Sequence, residues 1–146
     1  MGTSFTTFRG YGFWARDPAL EVWLHLLARE ADQSVRAPDW LRDAGRTWRD
    51  VASIGLIGCI SAELDERLTD PERTRVVVEL AERTLAWLRA QGPVLSAAVL
   101  DSLGTGGEGS HFTVDVDTGV FVRVGEAFIR LLQGELRTDA RTSPVV

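Results

Sequence analysis

The sequence predicts a mainly α domain, an irregular bundle of four to five helices with short extended segments near the N-terminus and at 112–116. Three observations carry that expectation. Asp17-Pro18 and Asp70-Pro71 each pair a capping acceptor with a residue suited to the first helical turn, and each opens a long stretch of helical apolar period. The connections between periodic stretches are short, and neither an internal repeat nor a strand–helix–strand alternation occurs. The 146 residues, 45% hydrophobic and 25% charged, suit a single globular domain that buries about 68–70% of its unfolded surface.

From Asp17 onward, Leu20, Val22, Trp23, Leu24, Leu26, Leu27 and Ala31 cover an arc of about 200°, too wide for a helix packed on one side. This helix is expected to be central. Glu21, His25, Arg29 and Asp32 occupy the remainder, and His25, between Glu21 and Arg29 at i±4 spacing, reads as a solvated or ion-paired surface residue. After Pro38, a second helix turns Trp40, Leu41, Ala44, Trp48, Val51 and Ala52 inward and Arg42, Asp43, Arg46, Arg49 and Asp50 outward. The run 54–60, interrupted by Gly55 and Gly58, reads as a buried extended segment or tight loop, with Cys59 a small buried hydrophobe. A short helical turn is expected within 61–68.

The next helix starts at Asp70-Pro71 and stops at Gln91-Gly92-Pro93. Its apolar arc from Val76 to Leu88 is again about 200°, which predicts a second central helix or a homodimer that covers one of the two arcs. A shorter helix at 95–103 leads into Gly104-Thr105-Gly106-Gly107-Glu108-Gly109-Ser110, a loop by composition. Beyond it, Arg123, Glu126, Arg130 and Gln133 share one face on a helix, opposite Phe121, Val124, Phe128, Leu131 and Leu132. A strand would point Arg123 and Glu126 to opposite faces, so the spacing predicts a helix over 118–134. Strand character is confined to 3–14 and 112–116. The single helical domain is assigned to 1–136, and the polar 137–146 reads as a flexible C-terminal tail.

Composition narrows the function classes. All 16 basic residues are arginine, and neither lysine nor asparagine occurs, a pairing that reflects a GC-rich coding sequence. A net charge of -5, with arginines interleaved among aspartates, offers no basic stripe for a phosphate backbone, so no nucleic acid partner is expected. No apolar run reaches the about 18 residues of a membrane span, and no basic segment with an apolar core opens the chain, so a cytoplasmic protein is expected. Two histidines and one cysteine, without ligand spacing, support neither a metal nor a cofactor. The glycine loop lacks the Gly-Lys-Ser/Thr of a phosphate loop, and no GxSxG elbow surrounds Ser110. No catalytic residue is assigned.

Two residue sets remain as candidate binding sites. Arg9, Tyr11, Trp14 and Arg16 interleave aromatics with arginines on a glycine-containing segment, the residue types enriched at binding hot spots. The alternative is Glu108, His111, Asp115 and Asp117, a local group of acids and one imidazole after the glycine loop, suited to a divalent cation or to general acid–base work. In size, acidity and lack of a catalytic motif, the chain resembles immunity proteins of bacterial toxin systems, a compositional likeness that covers no specific motif. It implies a non-enzymatic bacterial protein-interaction domain with a protein partner. The alternative function is a small-molecule-binding protein or enzyme, with an interhelical pocket gated by the 104–109 glycine loop.

Overall fold

A computed structural model describes residues 2–146. Its N-terminal threonines and aromatics form an antiparallel hairpin, β1 (Thr3–Phe8) and β2 (Tyr11–Arg16), in register from Thr3 opposite Arg16 to Phe8 opposite Tyr11. Arg9 and Gly10 make the turn with φ of 51° and 84°, the double left-handed geometry that matches the twist of two strands. The hairpin turns Phe8 and Phe13 into the core and buries Ser4 and Thr6.

β2 runs directly into α1 (Asp17–Asp32), followed by α2 (Asp39–Ser53), α3 (Leu64–Arg67), α4 (Pro71–Ala90), α5 (Ala97–Ser102) and α6 (Thr118–Leu132). A second, two-residue pairing joins β3 (Val94–Leu95) to β4 (Val116–Asp117). The domain is therefore mainly α with short extended segments, as the periodicity implies. α1 is its axis, because eleven of its sixteen residues are buried. α2 closes on it where Gly45 faces Ala28 and Ala31. α4 and α6 flank the other side, with the Trp23 and Phe128 rings edge-on at 5.6 Å and Gly125 admitting Trp23 and Leu85 against the α6 backbone.

α6 covers most of 118–134, with the Asp117 carboxylate accepting from the Gly119 N–H at 2.7 Å as its cap. The cap expected at Asp70 is present, accepting from the Arg73 N–H at 2.8 Å.

Three expectations are corrected. α4 is not central: Val77, Leu80, Ala81, Thr84, Leu85 and Leu88 are buried, but Val76, Val78 and Trp87 are only half-buried. The outer flank of its arc is covered by side chains, with the Arg29 guanidinium 4.1 Å from the Trp87 ring centre. The 54–60 run is an outward loop, with Ile54 62% and Ile57 76% exposed and only Ile60 in the core. Gly55 and Gly58, at φ of 79° and 69°, turn the chain out of the core, and Cys59 is exposed with it. His25 is half-buried rather than solvated or ion-paired, since the axial helix has little solvent face to give it.

Residues 137–146, read from the sequence as a tail, lie along β2. Gly12 N–H donates to the Thr138 carbonyl at 2.8 Å, Trp14 Nε1 to the Ala140 carbonyl at 2.9 Å, and Val146 N–H to the Trp14 carbonyl at 2.9 Å. The segment thus occupies backbone groups on the free edge of β2 that would otherwise need water. Among the described residues, no helix is long and apolar enough to cross a membrane.

Candidate functional site

The site is built on the first two turns of α1. Asp17 does not cap the helix as its position before Pro18 suggests; Arg16 holds the cap position, and the Asp17 side chain turns inward. One carboxylate oxygen accepts from Ser4 Oγ at 2.6 Å and the other from the Gly58 N–H at 2.8 Å. Ser4 Oγ in turn accepts from the Ile60 N–H at 3.0 Å, so one buried serine ties β1, α1 and the 54–60 loop together. A carboxylate at the first turn also lies at the positive end of the helix dipole.

One turn further, Glu21 is 4% exposed, and its Oε2 has no hydrogen-bond partner. Burial, followed by the nearby charge of Asp17, pushes its carboxyl up to about 7, against a smaller opposing effect of the Gly106 backbone amide. The next turn brings His25, whose Nδ1 is likewise buried without a partner. Burial first, then the guanidiniums of Arg49 and Arg29, hold its imidazole below the usual range and favour the neutral ring. Asp17, Glu21 and His25 follow one another at i, i+4 and i+8, a single file along α1.

Two glycine loops cover the Asp17 and Glu21 end of this file. Gly106 N–H donates to the Ala52 carbonyl at 2.9 Å, which anchors the glycine-rich loop to the end of α2. The backbones then approach so closely that a Cβ on Gly55 would meet the Gly106 oxygen at 2.7 Å, and one on Gly106 would meet Ser110 Oγ at 2.6 Å. Both glycines have positive φ, 79° and 85°, so neither position suits another residue. Between the loops and α1 lies a cleft of about 310 Å³ lined by Asp17, Glu21, Leu56, Gly106, Ser110 and Phe112, among others.

The two residue sets singled out from the sequence are dispersed. Arg9 lies exposed in the hairpin turn, its guanidinium 4.9 Å from the Phe8 ring centre and its N–H donating to Asp65 at 2.9 Å. Tyr11 is 43% exposed beside it. Trp14 is half-buried against Phe5, ring centres 5.1 Å apart, with its indole N–H committed to Ala140. Arg16, at the far end of the strand, joins His111 on the wall of an adjoining cleft of about 420 Å³ that shares Pro18, Ser110 and Phe112 with the first. In the loop set, Asp115 accepts from the Ala97 N–H at 2.8 Å at the start of α5, and Asp117 caps α6. His111 Nδ1 lies 3.1 Å from Asp101, while Glu108 is exposed. Among the described residues, no three His, Cys, Asp or Glu side chains gather as a metal site.

Sequence reasoning missed Glu21, and a signal for it was present: on a helix whose apolar arc spans more than half its circumference, the remaining polar residues have little solvent to face. Comparison with known protein families, with curated proteins and with solved structures finds no match to this chain.

Proposed function

We propose that the protein is a small-molecule-binding domain whose site is the cleft over Glu21, with the 104–109 loop as its outer wall. The observation that supports this reading is the Glu21 carboxyl at the cleft floor, buried and with its Oε2 left without a partner. Buried polar groups are nearly always hydrogen-bonded, and one left unpaired costs about 1–3 kcal/mol. A ligand that supplies the missing partner recovers that free energy on binding. The cleft volume of about 310 Å³ falls at the lower end of small-molecule sites. Its lining also has the usual composition of such sites, apolar walls from Leu56, Ile57 and Phe112 around a few convergent polar groups.

Fragment screening by amide-resolved NMR tests the reading. Hits are expected to shift the amides of Gly55, Leu56, Thr105, Gly106 and Ser110 together. Hits confined to the 9–16 hairpin, or scattered over the surface, would refute it.

A protein-interaction domain of the toxin-neutralising kind is the second reading, and one observation favours it: Ile54 and Ile57 are 62% and 76% exposed, with Ile57 on the rim of the same cleft. Apolar side chains ringing a buried polar anchor match the organisation of interface hot spots. Recovery of a stoichiometric protein partner that Ile57→Arg abolishes would favour this reading. Fragment hits with no such partner favour the first.

A further inference from the structure

We infer that the cleft is selective for a cationic N–H group, an ammonium, amidinium or guanidinium on a short apolar stem, seated on the Glu21 carboxylate. The inference rests on the cleft being the binding site and adds the chemistry of what enters. Of the two carboxyl groups at the floor, Asp17 has both oxygens already engaged by Ser4 and Gly58, which leaves Glu21 Oε2 as the unsatisfied one. No arginine or histidine is among the cleft-lining residues described, so an anionic ligand would meet two carboxyl groups without a counter-charge. A net charge of -5 draws cations toward the protein rather than anions. The walls then dictate the stem, because Pro18, Leu56, Ile57 and Phe112 offer apolar contact and no further ionic partner.

Titration of the site follows from the same contacts. Glu21 is faced by Asp17 one turn before and His25 one turn after on α1, and by the Gly106 amide and nearby Ser110 in the glycine loop. The free carboxyl, raised to about 7 chiefly by burial, is protonated in mildly acidic solution. A bound cation stabilises the carboxylate, so binding in acid expels that proton to solvent, and affinity climbs with pH until Glu21 is ionised in the free protein. A ligand that instead accepted a hydrogen bond from protonated Glu21 would weaken as pH rose.

Calorimetric titration with benzamidine, propylguanidine, butyrate and butanol, in two buffers of different ionisation heat, tests the inference. The two cations are expected to bind with release of close to one proton at about pH 6, and about tenfold more tightly there than at about pH 5. Glu21→Gln, an isosteric change, should weaken both at least tenfold and abolish the proton release. Acetyl-arginine amide separates two sources of the same chemistry. Binding as tight as propylguanidine's marks a partner's side chain as the natural occupant, and its exclusion while propylguanidine binds marks a free small molecule. Tighter binding of butyrate or butanol at the cleft would overturn the cationic assignment and leave the cleft standing as a binding site. Absence of any probe at the cleft amides would remove both. Cation binding that Glu21→Gln leaves unchanged would overturn the role of Glu21.

Discussion

Glu21→Gln keeps the shape of the side chain and removes its titration, so the difference between wild type and variant isolates the free energy of one buried carboxyl. In the folded protein that carboxyl is raised to about 7 from an ordinary value of 4.5. At about 1.36 kcal/mol per decade of proton affinity, the difference corresponds to roughly 3 kcal/mol, reduced to about 2–3 kcal/mol because the cleft admits water. The sign follows from the direction of the shift. A carboxyl with a raised folded-state pKa binds its proton more tightly when folded, so its contribution is fully present below about 4.5 and is lost as pH rises through about 7. Wild type should therefore lose stability relative to Glu21→Gln across this window. The variant should be the more stable of the two by about 2–3 kcal/mol above the window, which for a domain of this size is a gap of roughly 5–10 °C in Tm. Urea unfolding at pH steps from about 4.5 to 8, with the m-value checked at each step, measures the gap directly. A pH-independent gap, or a wild type that gains on the variant as pH rises, would refute the assignment of a buried carboxyl opposed to ionisation.

Trp14→Ala removes the ring against Phe5 and the indole N–H bond to Ala140, and should destabilise the domain by about 2–3 kcal/mol while speeding hydrogen exchange at Gly12 and Val146. Stability unchanged within about 0.5 kcal/mol would instead return Trp14 to a surface-contact role. Gly125→Ala places a methyl 2.6 Å from both Leu85 and Trp23, so it should cost about 1–3 kcal/mol by overpacking even though alanine favours helix. A rise in Tm, the usual result at an exposed helical glycine, would show that α6 packs less closely on α1 and α4 than the structure has it.

The parts legible in the sequence are those governed by local periodicity and capping. Arg123, Glu126, Arg130 and Gln133 are enough to choose helix over strand for α6, and the Asp70-Pro71 pair marks the start of α4 within the chain. The site was not legible for the opposite reason, since it depends on contacts between residues far apart in sequence. Nothing near Glu21 announces that Gly106, 85 positions later, closes over it, or that Ser4 and Gly58 converge on Asp17. The local acids after the glycine loop are instead engaged by the backbone, Asp117 capping α6 and Asp115 accepting from the Ala97 N–H at the start of α5. The loop 54–60 differs for another reason: its apolar run reads as buried, but two left-handed glycines turn Ile54, Ile57 and Cys59 toward water, and of its isoleucines Ile60 alone enters the core. Charge on an axial helix is the transferable signal, because a wide apolar arc and a polar remainder together place the polar groups under other elements.

The most direct measurement is the side-chain carboxyl ¹³C titration of Glu21, free and saturated with benzamidine. A midpoint at about 7 is expected in the free protein, falling by more than two pH decades when the cation is bound. A midpoint near the ordinary 4.5, unmoved by benzamidine, would contradict it.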